Sequence, residues 1–153
     1  MAEAKSDAPL KNRKAVLSVE SPLLREILTV SLKQAGIGAM TVGTAVDMLR
    51  EFRNLKPDII FCEYNTFMID GVAFIHHLRK NQNSVVPVVM LVPRDQAKIT
   101  DTAMRAGANA VLSIPFSVAD LVATCRKVLS QGEGVFGNKI DWSRYAPKEE
   151  EKE

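Results

Sequence analysis

The run P-V-V-M-L-V at residues 87–92 does most to limit what this chain can become. Six apolar residues in a row leave no face for water, so the segment reads as a strand buried on both sides, as parallel sheets are. Four shorter segments read as further strands: Ala15 to Val19, Ala39 to Val42, Ile59 to Cys62 and Asn109 to Ser113. Between them the apolar period changes from strand to helix. Ser21-Pro22 supplies an N-cap and a proline at the first helical position, and Leu24, Ile27, Leu28, Ser31 and Ala35 then mark an inner face that ends at Gly36. Val46, Leu49 and Phe52 mark the buried side of a second helix, which stops before Lys56-Pro57. Val72, Phe74, Ile75 and Leu78 mark a third, closed by the turn-prone N-Q-N-S at 81–84. Ile99, Ala103 and Ala106 make only a thin stripe beside Thr100, Asp101 and Thr102, so the fourth helix is expected to be short or mobile. Ser117 with Asp120 forms a capping box ahead of Leu121, Cys125 and Val128. Five strands alternating with five helices call for an α/β fold with a parallel sheet covered on both faces.

The chain has 153 residues, 46% of them apolar and 25% charged, enough for one domain with a real core and short for two. The reading is a flexible arm at 1–13, a domain at 14–131 and a tail at 132–153. Net charge is +2 and the positive residues are scattered, which argues against nucleic-acid binding. The acidic, apolar-poor start is not a signal peptide and no run has membrane-span length, so a cytoplasmic location is expected. Cys62 and Cys125 fall in apolar stretches and read as buried free thiols. His76 and His77 are adjacent on a helix, so they diverge by about 100° and cannot share one metal as an i, i+4 pair would. The tail holds Phe136, Trp142 and Tyr145, which suit either a segment folded back on the domain or one that binds a partner.

One ionisable residue, Glu63, stands where the central strand ends, and in such sheets ligands gather at the carboxyl ends of the strands. Around it the chain carries V-E-S-P-L-L-R, P-D-I-I-F-C-E, D-G at 70–71, P-V-V-M-L, A-G-A at 106–108 and I-P-F at 114–116. In order and spacing these landmarks resemble the receiver domain of two-component response regulators over roughly Lys14 to Gln131. The resemblance implies the CheY-like (flavodoxin-like) doubly wound fold, a five-stranded parallel sheet with five helices, and often a cis bond at Ile114-Pro115.

That family moves a phosphoryl group from a histidine kinase to an aspartate at the end of the third strand. An acid pair holds Mg²⁺, a Thr or Ser and a Lys bind the phosphoryl oxygens, and an aromatic reports the state. By resemblance those positions here are Val19 and Glu20, Glu63, Val92, Ile114 and Val111, and Phe67-Met68 replaces the usual Pro-Gly. The extra methylene of glutamate moves its carboxylate by about 1.5 Å, and Val92 and Ile114 supply neither donor nor cation for the transferring charge. The expectation is a degenerate pocket of Val19, Glu20, Glu63, Val92 and Ile114, with no catalytic, cofactor or metal residue. Glu20 and Glu63 at about 5 Å would repel by roughly 3 kcal/mol, relieved by a shared proton, an outward turn or weakly bound Mg²⁺.

The function expected is a stand-alone pseudo-receiver, not an enzyme, monomeric or weakly dimeric, that meets a protein partner in a bacterial signalling pathway without phosphorylation. Its contact face would carry Arg105, Val111 and Val122. Two alternatives stay open: a regulator held on by Glu63 as a fixed phosphate mimic, and a second-messenger binder using Arg79, Lys80 and Arg144.

Overall fold

The computed structural model describes residue 10 and residues 12–64, 70–80 and 84–137. Ten elements alternate: β1 (Lys14–Ser18), α1 (Pro22–Gln34), β2 (Gly38–Thr41), α2 (Ala45–Leu55), β3 (Ile59–Glu63), α3 (Gly71–Lys80), β4 (Val88–Pro93), α4 (Ala97–Ala106), β5 (Ala110–Ile114) and α5 (Val118–Gly137). The strands form one parallel sheet in the order β2-β1-β3-β4-β5. The chain steps outward from β1 to β2, then back across to β3 and on to β5, the flavodoxin-like form of the doubly wound fold. This is the architecture the sequence implies.

Local chemistry sets the helix ends as expected. The Ser21 hydroxyl accepts from the Leu24 amide at 3.2 Å with Pro22 next to it, and Thr44 does the same for Asp47 at 3.0 Å. Ser117 and Asp120 exchange backbone-to-side-chain bonds at 3.0 and 3.4 Å. α4 is a regular ten-residue helix despite its thin stripe, with Ala103 fully buried. α5 continues past Gln131 to Gly137. Several expectations shift by a residue or a turn: β1 and β2 lie one residue earlier than expected and β5 one residue later. β4 begins at Val88, not Pro87, because Pro87 gives only its carbonyl, to the Ile60 amide at 2.9 Å. On α1 it is Leu32 that completes the inner face with Leu24, Leu28 and Ser31, while Ile27 stands 42% exposed.

Side chains of the strands alternate between two cores. Under α1 and α5 lie Ala15, Leu17, Ile59, Phe61, Val89, Leu91 and Leu112. Under α2, α3 and α4 lie Val16, Ile60, Cys62, Val88, Met90 and Val92. Leu10 joins the first core, and the Asn12 amide bonds the Gly36 carbonyl at 3.1 Å, so packing begins upstream of β1. Cys62 and Cys125 are free and buried. Among the described residues no helix is long and apolar enough to cross a membrane.

Candidate functional site

All five residues of the expected pocket stand at the carboxyl ends of strands. Val19 and Glu20 follow β1, Glu63 closes β3, Val92 is near the end of β4 and Ile114 closes β5. Register holds these ends level: Ser18 pairs with Cys62, Glu63 with Leu91, and Pro93 with Ile114. Parallel pairing therefore brings together positions 43 residues apart. The Glu63 carboxylate (Oε1) accepts the Glu20 backbone N–H at 2.6 Å, a charge-assisted bond. The Glu20 carbonyl in turn accepts from the Arg25 guanidinium at 3.2 Å.

The other three side chains face inward. Val19 is 1% exposed and packs in the α1/α5 core, where Ile114 also leans, while Val92 lies in the core on the opposite face. An apolar side chain gains by this burial, whereas a hydroxyl or ammonium there would have to reach a partner. Among the described residues, the Glu63 carboxylate thus has the Glu20 backbone amide as a donor, while Val19, Val92 and Ile114 bring hydrocarbon packed against the cores. The chain after Glu63 is held close: the Gly71 amide donates to the Tyr64 carbonyl at 2.8 Å, and a Cβ on Gly71 would come within 2.5 Å of the Glu63 carbonyl oxygen. Only glycine fits that approach. Phe67 and Met68 lie outside the described residues. The peptide bond between Ile114 and Pro115 is cis, as the resemblance implied.

Beneath Glu63, burial drives the Cys62 thiol pKa far above its ordinary value, with Arg79 working against that shift and Glu63 adding to it. Such a thiol stays protonated and inert. Burial likewise pushes Cys125 up to about 12. Among the described residues no three metal-ligating side chains come together, and His76 is exposed and His77 half-buried.

The three residues proposed as a contact face lie on α4, β5 and α5, around the β5 edge of the sheet. The Arg105 guanidinium is exposed and pairs with Asp101 at 2.8 Å across one turn of α4. Val111 and Val122 are half-buried against different cores, on opposite faces of the sheet. Packing, rather than solvent, takes most of each valine. What stands exposed instead is Leu23, Ile27 and Val30 on α1, with Met40, Met104 and Val118 elsewhere. Sequence reading missed the α1 residues because it assigned Ile27 to the core.

Arg79 is not available to a ligand. Its guanidinium donates to the carbonyls of Ser84 (3.2 Å), Val86 (2.7 Å) and Gly107 (2.8 Å) and to the Asn109 side-chain oxygen (3.0 Å). Burial lowers its pKa to about 10, which leaves it charged near neutrality. The second-messenger cluster is corrected on this point: Arg79 points into the amino end of the sheet, Lys80 is exposed beside it, and Arg144 lies outside the described residues.

A 2-1-3-4-5 parallel sheet with an acid at the end of its third strand is the arrangement of a receiver-type domain. Residues 16–126 match the response regulator receiver domain, and the chain belongs to that family. The KDP operon transcriptional regulatory protein KdpE of Escherichia coli is 35% identical over 115 residues, 74% of this chain and 50% of its own length. The DNA-binding response regulator MtrA of Mycolicibacterium smegmatis is 29% identical over 122 residues, 79% of this chain and 53% of its own. This chain spans about half the length of these curated relatives. Among solved structures, a putative response regulator from Chloroflexus aurantiacus has a TM-score of 0.75 at 22% identity, covering 78% of this chain and 99% of its own. The chemotaxis protein CheY4 of Vibrio cholerae has a TM-score of 0.69 at 22% identity, covering 76% and 98%. These two likenesses speak for the fold.

Proposed function

We propose that this receiver domain works as a pseudo-receiver: a protein-contact module in two-component signalling that does not accept a phosphoryl group and is not an enzyme. One observation carries the reading. The acid at the acceptor position, Glu63, is bonded to the Glu20 backbone amide, while Val92 and Ile114 occupy the places of the phosphoryl-binding donors and are packed into the cores. In-line transfer depends on positioning and on charge stabilisation of the moving group, and neither apolar side chain can provide the second.

A switch needs contacts that differ between its states. Val92, Ile114 and Val111 cannot hydrogen-bond to a charge at Glu63, which also weighs against a fixed phosphate mimic. The partner proposed is a protein in a bacterial cytoplasm. By name KdpE is a transcriptional regulatory protein and MtrA a DNA-binding response regulator, but the positive charge of this chain is scattered rather than gathered for nucleic acid.

The test is exposure of the protein to beryllofluoride with Mg²⁺, followed by backbone amide shifts. Silence at Glu20, Glu63, Val92 and Ile114 is expected. Shifts that spread from Glu63 to Val111 would overturn the reading, as would labelling by a small phosphodonor that disappears in Glu63→Gln.

A further inference from the structure

The exposed apolar residues of α1 fall on one flank. Leu23, Ile27 and Val30 are 70%, 42% and 49% exposed and recur at steps of four and three residues. The β1–α1–β2 crossover, right-handed as such units are, puts β2 on one side of α1 and leaves α5 on the other. The right-handed turn of α1 sends this flank toward α5. Val118, 44% exposed, and half-buried Val122 stand on the answering flank of α5. The two helices thus border an apolar groove on the outside of the domain.

We propose that this groove is the docking site of the chain's own C-terminal segment, with Trp142 as the anchor and Ile140 and Tyr145 beside it. Reach, composition and charge each support this occupant. Both helices start at the carboxyl ends of the strands and run the same way. With 20 residues against 13, α5 outruns α1 by roughly 10 Å at 1.5 Å per residue. Returning from Gly137 to the level of Val30 takes about 16 Å, and the five residues from Gly137 to Trp142 span up to about 17 Å.

The segment's apolar residues are few and clustered, N-K-I-D-W-S-R-Y at 138–145, and an indole covers a large apolar area at small entropic cost. Exposed Lys33 and Arg126 stand along the two helices, and the segment brings Asp141 beside the tryptophan and K-E-E-E-K-E behind it. A short tether supplies an effective concentration of order millimolar, so a contact of millimolar intrinsic affinity is already half closed. A protein that uses the α1/α5 groove must displace the segment first. This inference is independent of whether Glu63 accepts phosphate.

Trp142 is the only tryptophan, so the full chain carries its own reporter. Its emission is expected to be that of a shielded indole and independent of protein concentration. Ile27→Glu and Val30→Glu, at exposed positions and with unchanged far-ultraviolet circular dichroism, are expected to shift it to the red and raise quenching by acrylamide. Met104→Glu, exposed on α4 across the sheet, is expected to leave it unchanged. Conversely, Trp142→Ala should move the methyl resonances of Ile27 and Val30. A water-like indole in the unaltered chain would overturn the proposal. So would a shielded indole indifferent to the two α1 substitutions, or shielding that appears only as the protein concentration rises, which would assign the groove to a second copy.

Discussion

The two ends of the sheet are built on different principles. At the carboxyl end, where receivers of this family keep their chemistry, the Glu63 carboxylate rests on the Glu20 backbone amide and three of the side chains, Val19, Val92 and Ile114, turn into the cores. At the amino end, polar groups do the joining. Arg79 gathers three carbonyls and a side-chain amide oxygen, and Asn109 also accepts the Val88 amide at 2.9 Å. Asp58 takes the Lys14 amide at 2.7 Å, and the Lys14 ammonium caps the Leu55 carbonyl. A buried charge that is fully hydrogen-bonded fixes geometry, whereas a hydrocarbon rim only fills space. The difference teaches that the strong polar network of this molecule is architectural and lies at the end opposite the pocket.

The contrast predicts unequal sensitivity. Arg79→Met should lower unfolding free energy by about 3 kcal/mol, because carbonyls that lose the guanidinium are left without donors. Calorimetry should show Tm lower by roughly 10 °C. Arg79→Lys should recover only part of this, since an ammonium cannot reproduce the planar fork. An Arg79→Met protein as stable as the parent would erase the contrast.

Next in size is Gly71→Ala, on the pocket side. Its methyl would press on the Glu63 carbonyl, with an expected loss of about 2 kcal/mol in urea denaturation. The third effect joins the two ends through Cys62, and involves Cys125 as well. Burial raises both thiols in the fold above their ordinary value of about 9. Unfolding frees them to ionise above that value, so stability is intact below about pH 9 and falls as pH rises toward 12. The slope is about 1.4 kcal/mol per pH unit for each thiol, and Cys125→Ala should make the alkaline limb shallower.

The smallest effect is Glu63→Gln. Its amide oxygen still accepts from Glu20, so stability should change by less than about 1 kcal/mol, while Glu63→Ala should cost roughly 1 kcal/mol or somewhat more through the lost acceptor. If the Gln variant proved worse than the Ala variant, charge rather than hydrogen bonding would hold this end together.

What the sequence reveals divides along the same line. The succession of strands and helices, the caps and the position of Glu63 follow from local signals: apolar runs between breakers, Ser21-Pro22, Ser117 with Asp120, and Pro57-Asp58 ahead of β3, whereas the order of the strands in the sheet comes from the family resemblance. α1 is harder to read, because Leu23, Leu24, Ile27, Leu28, Val30 and Leu32 make it apolar on most of its circumference. Periodicity cannot then decide which flank is inside, and Ile27 and Leu32 exchange places. Nor can it reveal the role of Arg79, whose acceptors are mostly backbone carbonyls, one of them 28 residues away. Nothing in the residue types at those positions announces the bond. Val111 and Val122 are alike in this respect: the sequence places them at the right elements without saying which face of the sheet each will meet.

The guanidinium of Arg79 also sets an order for coming apart. Opening the segment ahead of β4, or the turn that ends α4, means breaking bonds to Ser84, Val86 or Gly107 that share one side chain. Those two connections are therefore coupled and should open together rather than fray one at a time. Native-state amide exchange should accordingly be polarised along the strands. The Val88 and Asn109 amides, bonded to Asn109 Oδ1 and the Val88 carbonyl, should be among the last to exchange, and those around Glu20 among the first. The domain would breathe from its pocket end while its opposite end stays closed.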